Sequence, residues 1–189
     1  MIYKKLAFTC IFLYLLVLSC NKHNDFVKYT IKEGKHISTP IKLELTKSNV
    51  LKGSFYFTKY SKYNLHSVDQ LDWNKLTGFK YDLGYPDRSV MIGWRYDTLN
   101  NVFQVAPYFN NNGNINPLDS EIINISENEI VLFQITHKDN TAGVYLSGKN
   151  SYSYKEICLE SGNLKSIVNP YFGGNRKATN EISLYLKLE

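Results

Sequence analysis

The chain has 189 residues and a formal net charge of +5, a length that suits one ordinary domain with a sizeable core and leaves a crowded fit for two. Its lysines are scattered among acids instead of gathered in a block, which argues against nucleic acid as a partner. No CxxC pair and no HExxH motif occurs, so neither a metal nor a cofactor is expected.

Residues 1–19 read as a signal peptide. Lys4 and Lys5 give a positive start, residues 7–18 form a mostly apolar run too short for a comfortable membrane span, and Ser19 stands just before Cys20. Leu16-Val17-Leu18-Ser19-Cys20 resembles a bacterial lipobox. That resemblance implies a lipid on the Cys20 thiol, cleavage in front of it, and a membrane anchor; an uncleaved N-terminal anchor helix is the alternative. Both readings place the remainder outside the cytoplasm, in the cell envelope, on its periplasmic or cell-surface side. Loss of Lys4 and Lys5 with the signal leaves the mature chain at +3. Residues 20–28 then hold the lipidated cysteine and a tether, and 29–189 form a single β-sandwich domain. Cys10 leaves with the signal, so Cys158 stands alone, and within Ile157-Cys158-Leu159 it reads as a small buried hydrophobe.

Tyr29 and Ile31 suggest a first weak strand and Gly34 a turn. Over residues 41–46, Ile41, Leu43 and Leu45 alternate with Lys42, Glu44 and Thr46, the period of a half-buried strand. Residues 53–58 repeat the alternation with aromatic side chains. Residues 69–76 have the polar start of a short helix, with Asp69 as cap and Gly78 just beyond its end. In 89–96, Val90, Ile92, Trp94 and Tyr96 fall on one face and Met91, Gly93 and Arg95 on the other. A turn at 97–101 leads into a strand at 102–109. The Asn110-Asn111-Asn112-Gly113-Asn114 run reads as a loop, since asparagine and glycine tolerate left-handed backbone. Strands at 122–125, 130–136 and 142–146 follow at hairpin distances, with turns at 127–128 and 138–140. Ile182, Leu184, Leu186 and Leu188 close the chain on strict alternation. Short strands, regular turns and no long amphipathic helix predict an all-β antiparallel sandwich of jelly-roll type with one short helix.

Fifteen tyrosines and ten phenylalanines favour strands and also suit sugar binding, because a ring can stack on a pyranose while a tyrosine hydroxyl hydrogen-bonds. Four motifs stand out: Asn74-Lys75-Leu76-Thr77-Gly78-Phe79, Ile92-Gly93-Trp94-Arg95-Tyr96, Val105-Ala106-Pro107-Tyr108 and Asn169-Pro170-Tyr171-Phe172-Gly173-Gly174-Asn175. With the lipobox, they resemble small uncharacterised lipoproteins of Bacteroidetes-type bacteria, a family that implies no activity. A more distant likeness is to concanavalin-like jelly-roll polysaccharide lyases and lectin-like sugar-binding domains. For a lyase, that likeness implies a cation or amide on the uronate carboxylate and a His or Tyr to move the proton, with Arg95, Gln134, His137 and Tyr171 as candidates by type.

Spacing weighs against the lyase. Its pattern sets Gln and His two residues apart on one face of a strand, whereas Gln134 and His137 are three apart, and Gly173 stands where a lysine follows Tyr-Phe. Carboxylates suited to a glycosidase are available as Asp69 with Asp72, Asp82 with Asp87, and Asp119 with Glu121, none at two-residue spacing in a strand. Trp94 reads as core, and Gly173-Gly174 as a tight turn. The leading reading is a non-enzymatic, lipid-anchored envelope protein whose β-sandwich carries a groove for an oligosaccharide or polysaccharide. The ligand-binding candidates are Arg95, Tyr96, Tyr108 and Tyr171, with Asn74 and Lys75 behind them. A polysaccharide lyase or glycoside hydrolase is one alternative, and an envelope scaffold that contacts another protein is the other.

Overall fold

The computed structural model describes residues 25–82, 88–160, 162 and 164–189; the signal segment, Cys20, most of the tether and Asp87 lie outside them. Thirteen strands are described: β1 (Val27–Ile31), β2 (Ser38–Thr39), β3 (Val50–Phe57), β4 (Asn74–Tyr81), β5 (Arg88–Asp97), β6 (Val102–Asn111), β7 (Asn114–Ile115), β8 (Ile123–Ile125), β9 (Val131–Lys138), β10 (Thr141–Ser147), β11 (Tyr152–Cys158), β12 (Lys165–Ile167) and β13 (Ile182–Leu188). They form two antiparallel sheets. The first runs β11-β10-β9-β3-β13-β1-β2 and the second β12-β4-β5-β6-β7, with β8 also paired to β6. The fold is the expected jelly-roll sandwich.

The strands form where apolar residues recur every second position, because only that period keeps one face dry. Val90, Ile92, Trp94 and Tyr96 of β5 all join the core, as do Ile182, Leu184 and Leu186 of β13. Phe57 from the first sheet joins the layers: its ring lies 5.0 Å from Trp94 and 4.7 Å from Phe103, both of the second sheet. Such aromatic pairs contribute about 0.5–1.5 kcal/mol each beyond the area they bury.

Strand β4 departs from simple alternation. Asn74 pairs with Trp94 and Lys75 with Gly93, but the next partners are Gly78 and Met91, so β4 holds one extra residue in a bulge. The bulge resets parity, and Leu76, Phe79 and Tyr81 all reach the core. It also demands glycine: a Cβ on Gly78 would stand 2.1 Å from the Val90 carbonyl oxygen and 2.6 Å from the Met91 Cα.

Several expectations are corrected. Residues 69–76 are not a helix; a single 3-10 turn spans Val68–Leu71 and β4 begins at Asn74. Its N-cap is Ser67, whose hydroxyl accepts from the Asp69 N–H. The alternation over 41–46 builds no strand in either sheet: only an isolated bridge joins Leu45 to Ser166, and Ile41, Leu43 and Leu45 are 66%, 81% and 58% exposed. Alternation supplies a dry face only if a layer covers it, and this segment runs along the β12 edge of the second sheet, hydrogen-bonded to Lys165 and Ile167, where none does. β1 begins at Val27, inside the stretch read as tether. The asparagine run is a tight hairpin between β6 and β7, with Asn112 at φ 53°. Cys158 is exposed, because the inward positions at that end of β11 belong to its neighbours and Leu159 is the buried one.

Candidate functional site

The outer face of the second sheet is built by the residues that alternate with its core. Register sets Lys75 beside Gly93, and then Gly93 beside Ala106, Met91 beside Tyr108 and Arg95 beside Gln104. This face carries a second buried apolar cluster, Trp73, Met91, Ala106 and Tyr108. Gly93 makes room for it, since a Cβ there would stand 3.0 Å from the Trp73 ring and 3.2 Å from the Tyr108 Cβ. The Gly-Trp-Arg motif thus divides its work: Gly93 seats Trp73, Trp94 fills the core, and the Arg95 guanidinium lies 4.3 Å over the Trp73 ring.

Above this floor lies a cavity of about 510 Å³. Asp72, Trp73 and Lys75 line it from one side, Arg95 and Tyr108 from the floor, Asn114, Asn116 and Asp119 from the β7 side, and Gly174 and Asn175 from the loop before β13. Arg95 is fixed by Nε donating to the Gln104 Oε1 at 2.7 Å and by an amino group donating to the Leu71 carbonyl at 2.9 Å. Lys75 donates to the Trp73 carbonyl at 2.9 Å and lies 5.1 Å over the Tyr108 ring. Burial holds the Lys75 amine below the ordinary lysine range, and the Asp72 carboxylate offsets part of that. Burial pushes the Tyr108 hydroxyl up, with Asp72 adding to it, so this hydroxyl is a donor at neutral pH. Arg95 is also opposed by burial, yet a guanidinium stays charged in a protein.

The Asn-Lys-Leu-Thr-Gly-Phe and Asn-Pro-Tyr-Phe-Gly-Gly-Asn motifs meet here. Asn74 Oδ1 accepts from the Gly173 N–H at 2.8 Å, and its Nδ2 donates to the Tyr63 hydroxyl at 3.0 Å. That hydroxyl also accepts from the Tyr96 N–H at 3.2 Å, and burial raises its pKa to about 12. A Cβ on Gly173 would stand 2.6 Å from both the Lys75 Nζ and the Trp73 carbonyl oxygen, and one on Gly174, at φ +75°, 2.3 Å from an Asp72 oxygen. The glycines therefore let this loop press against the groove wall.

Of the ligand-binding candidates, Arg95, Lys75 and Tyr108 come together in the groove. Asn74 is 1% exposed and faces inward as a structural bridge. Tyr96 belongs to the core and its hydroxyl donates to the Asn101 Oδ1, because it shares the parity of Trp94. Tyr171 pairs with Lys75 through two backbone hydrogen bonds, but its ring stacks on His36 at 5.4 Å, beside the groove. The lyase set does not assemble. Gln134 and His137 sit in β9 of the first sheet, with Gln134 at an outer position and His137 buried against Tyr81, bonded through Nε2 to the Leu159 carbonyl. Arg95 is on the other sheet. Of the carboxylates named from sequence, Asp69 pairs with Arg176, Asp82 with Arg88 and Glu121 with Lys155, and Asp87 lies outside the described residues.

Sequence reasoning missed Trp73, and it named Asp72 and Asp119 only beside Asp69 and Glu121, not as two walls of one groove. The signal for Trp73 was there, since Trp73 and Lys75 alternate with Asn74 and Leu76 at a period of two. Among the described residues no group of His, Cys, Asp and Glu is placed to hold a metal ion, and no helix is long and apolar enough to cross a membrane.

No family model matches the chain, and no curated protein does. Solved structures share its fold at low identity. A functionally unknown protein from Saccharomyces cerevisiae is 8% identical with a TM-score of 0.50, over 89% of this chain and 93% of that one. The xylan β-1,4-xylosidase from Bacillus halodurans C-125 is 9% identical with a TM-score of 0.52, over 87% of this chain, which spans only 32% of the xylosidase. The alginate lyase from Klebsiella pneumoniae is 10% identical with a TM-score of 0.48, over 74% of this chain and 58% of that one.

Proposed function

We propose that this domain is the exported part of a lipid-anchored envelope protein, held through Cys20, and that it binds an oligosaccharide or polysaccharide in the groove on the outer face of the second sheet without cleaving it. The observation that carries the reading is the polarity of that groove. Lys75, Arg95, two carboxylates and three asparagines face one cavity, an array of donors and acceptors matched to a polyhydroxylated ligand. The xylosidase, whose name states that it acts on xylan, shares this fold over a third of its length, which agrees with a carbohydrate role at the level of fold.

The test is a glycan array probed with the chain from Asn21 to Glu189, with Arg95→Ala as control. Retained glycan that Arg95→Ala fails to retain supports the reading; binding that the variant leaves unchanged refutes the groove as the site. One observation favours a second reading as a glycoside hydrolase: Asp72 and Asp119 line the same cavity from different loops, and paired carboxylates flank the bond in such enzymes. Shortened sugars released from array hits, and not released by Asp119→Asn, would replace binding with hydrolysis. A blank array would favour the protein-contact alternative.

A further inference from the structure

The segment after β2 is the least expected surface of the molecule. Ile37, Ile41, Leu43 and Leu45 are 54%, 66%, 81% and 58% exposed, four large apolar side chains within nine residues. Scattered exposed apolar residues are ordinary, but a contiguous group marks an interaction surface. Its rim is basic: Lys32, Lys35 and Lys177 surround the hollow that Ile37 and Ile41 help to line. Between residues 32 and 47 the chain has four lysines and two glutamates. Apolar side chains framed by lysines are the chemistry of a surface that lies in the headgroup region of an anionic bilayer.

Chain length selects the same occupant. Asp25, the first described residue, accepts from the Lys187 ammonium at 2.9 Å and leads into β1. Cys20 lies five residues earlier, so a lipid on it stands within about 17 Å of Asp25 even at full extension. A domain held so closely must turn one side to the membrane. β2 pairs with β1, and the apolar stripe continues from β2. A second exposed group, Tyr145, Tyr152 and Tyr154, sits on β10 and β11 at the far edge of the first sheet. β11 is five strand spacings from β1, about 24 Å at the usual separation, on the side of the first sheet away from β2.

We infer that the stripe from Ile37 to Leu45, with its lysine rim, is a membrane-docking face that lies in the headgroup layer of an anionic bilayer and fixes the orientation of the anchored domain. The inference rests on the anchoring part of the proposed function, and a second contact of this kind adds to the hold of the lipid and sets the orientation of the domain.

The test uses the full chain, purified with its own lipid and reconstituted in vesicles of phosphatidylglycerol and phosphatidylcholine. An environment-sensitive fluorophore is placed by Leu43→Cys, or by Tyr152→Cys as control, in each case with Cys158→Ser. Docking is supported if a lipid-borne quencher dims position 43 by at least about twofold more than position 152, and if that difference shrinks in phosphatidylcholine alone or at high salt. Equal quenching at the two positions in a chain that floats with vesicles overturns docking and leaves the anchor intact. A chain that does not float overturns both. Position 43 shielded from an aqueous quencher but not reached by the lipid-borne one also overturns docking, because a protein then covers the stripe.

Discussion

Replacing Asn74 by alanine tests whether the two glycine-bearing motifs are one structural unit. The side chain is 1% exposed and joins the Gly173 N–H to the Tyr63 hydroxyl. Its loss leaves the Gly173 donor buried without a partner, which costs about 1–3 kcal/mol, while the Tyr63 hydroxyl keeps the Tyr96 N–H and loses less. The expected destabilisation for Asn74→Ala is therefore about 2–3 kcal/mol, or about 4–12 °C in Tm at 2–4 °C per kcal/mol for a domain of this size. Urea unfolding followed by tryptophan fluorescence reads it as a lower midpoint at unchanged slope. Tyr63→Phe orphans the Asn74 amide and the Tyr96 N–H and should cost a similar amount. The double variant should cost less than the sum, since the bond between the two residues is lost only once. Strict additivity, or an Asn74→Ala loss below about 0.5 kcal/mol, would show that the bridge does not hold the loop.

Gly93→Ala brings a methyl to 3.0 Å from the Trp73 ring and is expected to cost about 1–3 kcal/mol with a shift in tryptophan emission; an unchanged spectrum would mean that Trp73 does not rest on that glycine. The Thr77 hydroxyl is buried and meets no partner among the described residues, so Thr77→Val should stabilise the fold by about 1 kcal/mol, and a lowered denaturation midpoint contradicts this. The Tyr63 hydroxyl ionises near pH 10 in the unfolded chain and, because of burial, at about 12 in the folded one. Its contribution is complete below about pH 10 and falls as pH rises toward 12, when the unfolded chain gives up a proton that the folded chain retains. Tyr63→Phe should remove about 3 kcal/mol of that alkaline decline, measured as midpoint against pH; curves that stay parallel refute it.

The fold was legible where one layer covers one face. Ser89 to Tyr96 and Ile182 to Leu188 announce their inward positions because a second sheet lies over them. The same alternation over 41–46 misleads, since periodicity reports which residues share a side and not whether anything covers it. Residues 69–76 misled differently. Asp69 carries a helix-start signal that a single 3-10 turn satisfies, and Trp73 to Leu76 already follow strand parity behind it. The groove was half legible. Arg95 was found because it alternates with the evident core residues of β5, and Tyr108 as the ring that ends a short motif in β6. Lys75 came from a short motif, whereas Asp72 and Asp119 arrive on loops whose approach to the sheet depends on the Gly173-Gly174 turn and the β6–β7 hairpin. No local pattern encodes that meeting.

Tyrosine content suggested sugar stacking, and the groove shows a different arrangement of the same residue types. Trp73 and Tyr108 are 9% and 3% exposed, each with a cation over its ring, so neither offers a free face to a pyranose. Among the described residues the exposed tyrosine rings lie elsewhere, Tyr145, Tyr152 and Tyr154 on the first sheet and Tyr60 on the 3-10 turn after β3. In the groove the aromatic side chains act as seats: the Trp73 ring and the Tyr108 ring hold Arg95 and Lys75 in place, and their polar groups face the cavity. Recognition on this surface therefore depends on fixed hydrogen-bond geometry. Arg95→Lys keeps the charge but gives up the planar fork that joins Gln104, Leu71 and Trp73, so it should weaken glycan retention about as much as Arg95→Ala. Retention at the parent level in Arg95→Lys would mean that charge alone suffices and that the seat formed by Trp73 and Gly93 is irrelevant to the ligand.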